Sequence, residues 1–238
     1  MKLNYRRTVL VGFAFFLIIC FWQAYDTIIP KILTDKFGMS QSLSGIIMAL
    51  DNILALFLLP FFGALSDKCT WKMGKRTPYI LIGTIVSILL IFGIATADNL
   101  QRNNISQITD ISSREARVIL YEHDYQKALI TPDGVEFDLK DIELEQFVSI
   151  ESDTVWDTDL EGKSYPKGFS PYTSYVVPAM QRYAGDVTRA EPMPIILFVC
   201  MLLLLLVSMS VFRSPAVALM PDVTPKPLRS KGNAVINL

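Results

Sequence analysis

Asp51 is the residue whose type and setting most demand a chemical role. It stands inside the run LSGIIMALDNILALFLLPFF, between otherwise uncharged residues. If that run crosses a bilayer, the carboxylate costs about 2.5–3.5 kcal/mol on insertion scales, so it must face a cavity or a partner. A carboxyl group there can hold and release a proton, and Asn52 beside it supplies both a donor and an acceptor. The competing reading is a structural partner near the outer membrane interface. Asp67 follows 16 residues later, roughly 24 Å along a helix, so the two acids belong to different membrane depths.

Asp67 opens a second constellation, GALSDKCTWKMGKRTP from Gly63 to Pro78, which packs Asp67, Lys68, Lys72, Lys75 and Arg76 between two apolar runs. The stretch is too short for a domain and suits a tight connection between membrane helices. Gly63 and Gly74 bracket it, where close backbone approach or a positive φ is useful. The cations alone could be topology signals. A third group, Gln23, Tyr25 and Asp26, closes the first apolar run; here Trp22 and Tyr25 equally fit an aromatic interface belt.

These residues need membrane helices to hold them. Hydrophobic residues make up 51% of the 238 and mean hydropathy is positive, the composition of a membrane protein. The first run starts at Thr8, after MKLNYRR, and reads as an uncleaved span continuing past Asp26 towards Pro30, since no small-residue cleavage site follows it. The segment from Lys31 to Gly45 reads as a short polar connection. Further spans run over Leu43–Phe62, Pro78–Ala97 and Pro194–Phe212, each near the 20 residues that a bilayer core of roughly 30 Å requires. Pro78 is tolerated in a first helical turn, and Gly83, Ser87 and Gly93 would let a neighbouring helix approach closely.

Between the third and fourth spans lies an insert, residues 98–193, with 18 acidic and 9 basic residues, whereas the remainder has 5 and 13. The chain thus divides into 1–97, 98–193 and 194–238. Within the insert, KALITPDGVEFDL predicts a β-hairpin turning at Pro132-Asp133-Gly134. Ile142 to Ile150 adds an element of unassigned period, and 151–171 reads as loop. The expectation is a small α+β or mainly β domain. His123, the one histidine, reads as an ordinary surface or half-buried side chain, and Trp156, Tyr165, Tyr172 and Tyr175 as packing within that domain. The three cysteines build no disulfide framework, which favours a bacterial cell surface. Lys2, Arg6 and Arg7, the basic turn, and Arg213, Lys226, Arg229 and Lys231 fall on one side if the spans alternate. By the positive-inside rule the N-terminus is cytoplasmic and the insert extracytoplasmic.

The turn from Asp67 onward, Gly-x-x-x-Asp-Lys and then Gly-Lys-Arg-x-Pro, resembles the loop between helices two and three of major facilitator superfamily transporters. The match sharpens over Asp51–Gly83 and extends to TDKFGMS and MPDVTPKPLRSKGN. It looks like the sugar–cation symporters, of the sucrose/maltose–proton branch, with the glycoside–pentoside–hexuronide branch related. The resemblance implies an all-α polytopic fold, represented by its first four helices and the start of the fifth at Gly232–Leu238, with the remaining helices expected after Leu238. It implies alternating access with a sugar substrate. It carries a cytoplasmic latch onto Gly63, Asp67, Gly74, Lys75 and Arg76, with Arg213 and Asp222 as partners; simple snorkelling is the alternative for Arg213. Gln23, Tyr25, Asp26, Asp51 and Asn52 become candidates for the substrate or proton path. Positions around Ala55 and Leu59, where the melibiose-type branch has cation-binding aspartates, are apolar, so the coupling ion is expected to be a proton rather than sodium.

Other classes find no support. There is no Walker-type glycine loop, no Cys/His cluster with metal spacing and no basic groove for nucleic acid, so no enzyme, cofactor or nucleic-acid partner is expected. Two rivals remain: a four-helix membrane sensor whose insert binds a ligand, and a structural membrane protein with no transport role.

Overall fold

In a computed structural model, residues 5–71, 74–130, 136–156 and 168–223 are described. They form seven α-helices and one small β-ladder: α1 (Tyr5–Lys31), α2 (Gln41–Asp67), α3 (Thr77–Asn104), α4 (Arg114–Asp124), β1 (Ala128–Ile130), β2 (Glu136–Asp138), α5 (Leu144–Ser149), α6 (Val177–Ala190) and α7 (Met193–Val223). Contacts divide the chain into two compact units: residues 1–29, 45–96 and 197–238, and residues 30–44 with 97–196.

The first unit is helical. Among the described residues, three helices are long and apolar enough to cross a membrane, Gln41–Asp67, Thr77–Asn104 and Met193–Ala218. The run assigned to the first span forms a continuous helix, α1, of 27 residues, about 40 Å long. The fourth span does not end at Phe212 as expected. α7 continues through Arg213 to Val223 because Ser214, Ala216, Val217 and Ala218 offer no breaker, and Pro215 does not end it. The expected opening of a further helix at Gly232–Leu238 lies outside the described residues.

Small residues let α3 and α7 touch, as their spacing predicts. A Cβ at Gly83 would lie 2.8 Å from the Cβ of Phe212, and one at Gly93 would meet the sulfur of Met201 at 2.9 Å. Between them the Ser87 hydroxyl donates to Ser208 Oγ at 3.1 Å, and Ser208 Oγ donates to the Gly83 carbonyl at 2.9 Å. In an apolar solvent, close van der Waals contact and such short polar links replace the hydrophobic drive between helices.

The second unit is built mainly from helices, which corrects the mainly β alternative for the insert. The expected hairpin is there as three-residue strands in antiparallel register, Ala128 opposite Asp138 and Ile130 opposite Glu136; its Pro132-Asp133-Gly134 turn lies outside the described residues. α4 and α6 have no counterpart among the elements expected from the sequence; both are short and amphipathic, with few apolar residues in a row. Local signals for both exist. The Ser113 side chain caps α4 by accepting from the Ala116 amide, and Pro178 sits in the first turn of α6. Glu143 and Gln146 close a capping box on α5.

These helices bury Ile105, Ala116, Leu120, Phe147, Tyr175 and Ala179 in one core. Arg117, 4% exposed, lies against that core and, among the described residues, pairs with no carboxylate. Its guanidinium donates to the carbonyls of Ile111, Phe147 and Ile150, the last two at the C-terminal end of α5. Burial pulls its pKa below the usual arginine value, and the negative end of the α5 dipole compensates.

The polar connection expected over Lys31–Gly45 is shorter than the sequence suggested. After Pro30 the chain continues as one wide helical turn, Ile32–Lys36, and stops at Gly38. That glycine has φ +61° and the following Met39 amide bonds back to the Leu33 carbonyl at 3.0 Å, a left-handed helix stop. A side chain at Gly38 would also collide with the backbone of Gly185 in α6. Lys36 pairs with Asp98 at 2.6 Å, and the Gln101 amide donates to the Lys36 carbonyl at 2.7 Å.

Replacing Gly83 by Ala forces the added Cβ against Phe212 and is expected to destabilise the first unit by about 1–3 kcal/mol. Ser87→Ala should cost only about 0.6 kcal/mol, the usual worth of an interhelical polar contact in a membrane. Thermal unfolding in detergent checks the order; a larger loss from Ser87→Ala would place the seam's strength in its hydrogen bonds instead.

Candidate functional site

Three helices of the first unit present polar groups to one cavity of about 530 Å³, lined by Trp22, Asp26, Gly45, Met48, Ala49, Asp51, Asn52 and Arg213. α1 contributes Trp22 and Asp26, which share a face at a spacing of four. From α2 come Gly45, Met48, Ala49 and Asn52, the three-and-four spacing of one helical face, with Asp51 beside them. α7 contributes Arg213, whose guanidinium carbon stands 4.9 Å from the centre of the Trp22 ring. A cation over an indole face is the favoured geometry for this contact.

The cavity therefore holds two carboxylates, one guanidinium, one amide and an aromatic wall. Carboxylate and amide oxygens accept hydroxyl protons, the guanidinium donates in a planar fork, and the ring offers an apolar face. Among the described residues, the indole Nε1 of Trp22 and the Tyr25 hydroxyl are buried without a hydrogen-bond partner. Both stand beside or in this wall, Trp22 and Tyr25 meeting edge to face at 5.4 Å. Both atoms are shielded behind the wall rather than open to the cavity, so the groups that could meet a ligand are those that line it.

The candidates named from the sequence divide. Asp26, Asp51 and Asn52 come together. Tyr25 packs behind Trp22 and is 4% exposed. Gln23 is turned away: it is exposed and off the cavity, one residue and so about 100° around α1 from Trp22. Arg213, expected with the latch, lines the cavity instead, because α7 does not end before it. Trp22 was read only as an interface anchor. Its spacing of four from Asp26 was the signal that could have placed it.

The latch residues form their own group. Asp67 ends α2 and its Oδ1 lies 3.1 Å from Nη2 of Arg76, just before α3. Arg76 is largely buried and Asp67 is open to solvent. Gly74 has φ +101°, and a Cβ at Gly63 would press on the Ser214 hydroxyl of α7 at 2.9 Å. Both glycines thus do what their positions suggested: one turns the chain and the other lets α7 approach. Lys75 is exposed. The backbone of Asp222 is within α7, but its side chain lies outside the described residues, so a pairing with the latch has no geometry.

Residues 10–108 match the family model described as MFS/sugar transport protein. Over that stretch, which is under half of its length, the chain is similar to this family of transporters, and its apolar helices make it a multi-pass membrane protein. It is similar to "Sucrose transport protein SUC3" of Arabidopsis thaliana, with 42% identity over 58 residues, 24% of this chain and 10% of the plant protein. It is similar to "Proton-associated sugar transporter A" of Homo sapiens at 33% over 86 residues, 33% of this chain and 12% of the human one. With "Sucrose transport protein SUT5" of Oryza sativa subsp. indica it shares 29% over 70 residues, 29% of this chain and 13% of that protein. The matched stretches thus span about a tenth of the length of these curated relatives. No solved structure matches. These relatives are plant and animal proteins, so a bacterial setting rests on the cysteine pattern alone.

Because Asp67 is exposed, its ion pair with Arg76 should contribute about 0.2–1 kcal/mol. A double-mutant cycle of Asp67→Asn and Arg76→Gln on unfolding in detergent measures this. A coupling well above that range would mean the pair is shielded from solvent in the assembled protein.

Proposed function

We propose that this protein acts in proton-coupled sugar symport, with the cavity around Asp51 on the substrate and proton path. The carrying observation is the meeting of Asp26, Asp51, Asn52 and Arg213 in one cavity of the first unit, beside Trp22. The family match and the sugar-transporter names of the relatives supply the substrate class. In this reading the sugar's hydroxyls bind the carboxylate and amide oxygens and the ring stacks on Trp22. A proton on Asp26 or Asp51 weakens the attraction of Arg213 to the carboxylates of its cavity, and its departure restores it. Alternating access then exposes the cavity to each side in turn, with Asp67 and Arg76 latching the cytoplasmic side. The N-terminus is cytoplasmic and residues 98–193 lie outside. Apolar residues at Ala55 and Leu59 support a proton over sodium. The sensor reading has less support, since the polar cavity lies among helices and the relatives are transporters.

Proteoliposomes with an imposed inward proton gradient test this. A full-length transporter that carries this chain, the parent protein of the test, should accumulate labelled sucrose or maltose above equilibrium. Asp51→Asn should lose accumulation at least about tenfold, a tenfold change corresponding to about 1.4 kcal/mol, while sucrose exchange without a gradient persists. Accumulation by Asp51→Asn against the gradient would remove Asp51 from the coupling path. Absence of any uptake by the parent protein would overturn the symport reading.

A further inference from the structure

One face of α6 carries two arginines, Arg182 and Arg189, about two turns apart. Pro178, Gln181 and Gly185 share that face at three-and-four spacing, and all five residues line one cavity of about 600 Å³ within the second unit. The other wall comes from the connection after α1 and from the first turns of two helices able to cross a membrane. Ser40 precedes α2, Leu43 stands in its first turn, and Ile195 stands in the first turn of α7. The two sides meet where Gly38 and Gly185, both in the lining, touch. A Cβ on Gly185 would lie 3.0 Å from the Gly38 carbonyl oxygen. Among the described residues that line the cavity there is no carboxylate.

We propose that this cavity binds the phosphate group of an anionic glycerophospholipid, with the headgroup on Arg182 and Arg189 and an acyl chain along Leu43 and Ile195. Guanidinium groups present their N–H donors in a planar fork that matches phosphate oxygens. The Ser40 hydroxyl oxygen accepts from the Leu43 amide at 3.3 Å and marks the N-terminus of α2, where the positive end of the helix dipole favours an anion. The apolar lining decides the source of the phosphate. Leu43 is 52% exposed, and both it and Ile195 begin helices that enter the membrane. A soluble phosphate gains nothing from those side chains, whereas an acyl chain gains by covering them.

Two acids beside these residues are already engaged. Asp35 accepts from the Gln181 amide at 3.0 Å and from the Thr34 hydroxyl at 3.1 Å. Asp186 takes Nη1 of Arg189 at 2.9 Å and lies 3.4 Å from Lys127. A guanidinium has five N–H groups, so that one bond leaves Arg189 donors for a second acceptor, and its side chain is 82% exposed. Arg182 also adds a positive field at buried Asp124, which ties it to the fold as well as to the cavity. The cavity shares no residue with the one around Asp51, so the proposal stands independently of the symport reading.

Native mass spectrometry tests the site, on a full-length transporter that carries this chain, in detergent titrated with palmitoyl-oleoyl phosphatidylglycerol. The parent protein should bind this lipid saturably. Arg189→Gln should weaken the binding about fivefold, and the double variant with Arg182→Gln about twentyfold. If the double variant fails to fold, Arg189→Gln decides, since it alters an exposed side chain. Lys140→Gln removes an exposed cation outside the lining and should change nothing. Diacylglycerol with the same chains should bind at least about tenfold more weakly, and glycerol phosphate should not displace the lipid. A parent protein with no saturable binding overturns the proposal, as does unchanged binding in Arg189→Gln or an equal loss in Lys140→Gln. Diacylglycerol binding as tightly would remove the phosphate from the site, and displacement by glycerol phosphate would make the ligand a soluble anion; either overturns it too.

Discussion

A guanidinium carried inside an apolar helix is the constraint on which the first unit turns. α7 reaches Arg213 before it ends, and no lipid tail can solvate that charge. The three elements around it answer the problem in different ways. Trp22 gives the cation an aromatic face at 4.9 Å, an attraction that strengthens to about 2 kcal/mol when water is excluded. Asp26 and Asp51 give it countercharges. Taking away both carboxylates would leave a charge uncompensated in a low-dielectric setting, which is the most costly kind of burial.

The position of Arg213 depends in turn on how α7 meets α3. Ser208 and Phe212 occupy one face of α7 and seat on Ser87 and Gly83. Arg213 follows Phe212 by one residue, about 100° around the helix, and so points away from that seam towards α1 and α2. A glycine with no side chain thereby helps to decide where a charge stands. The second unit handles its own buried cation without any such countercharge. Arg117 relies on carbonyls at the end of α5 and on the faces of Phe147 and Tyr172, each within 6 Å of the guanidinium carbon.

What the sequence made legible follows from which physical signals are local. The spans over α2, α3 and α7, the small residues at Gly83, Ser87 and Gly93, and the turn chemistry at Gly74 all depend on short stretches. Asp51 announced itself because a carboxylate among apolar residues has few explanations. Arg213 was misplaced because a charge after 19 uncharged residues resembles a helix end; whether the helix continues depends on what it packs against. Trp22 and Gln23 differ only in rotation about α1, and rotation is set by neighbours. In the second unit the helices are short, and their apolar residues are spaced singly among polar ones, so no long apolar run marks them. His123 stands beside Asp186, 63 residues away in the chain, a neighbour no local pattern can supply.

The charge balance of the cavity carries the functional argument one step further. Two carboxylates against one guanidinium leave one negative charge in excess, inside a space bounded by helices that face lipid. A neutral sugar cannot balance that charge, since hydroxyls contribute dipoles but no net charge. In the symport proposed above, a single proton would, on the same groups that would bind the sugar. Proton and sugar would then be linked through shared atoms, Asp26 and Asp51, and through the freedom of Arg213. Coupling of this kind needs no second ion site, which agrees with apolar side chains at Ala55 and Leu59.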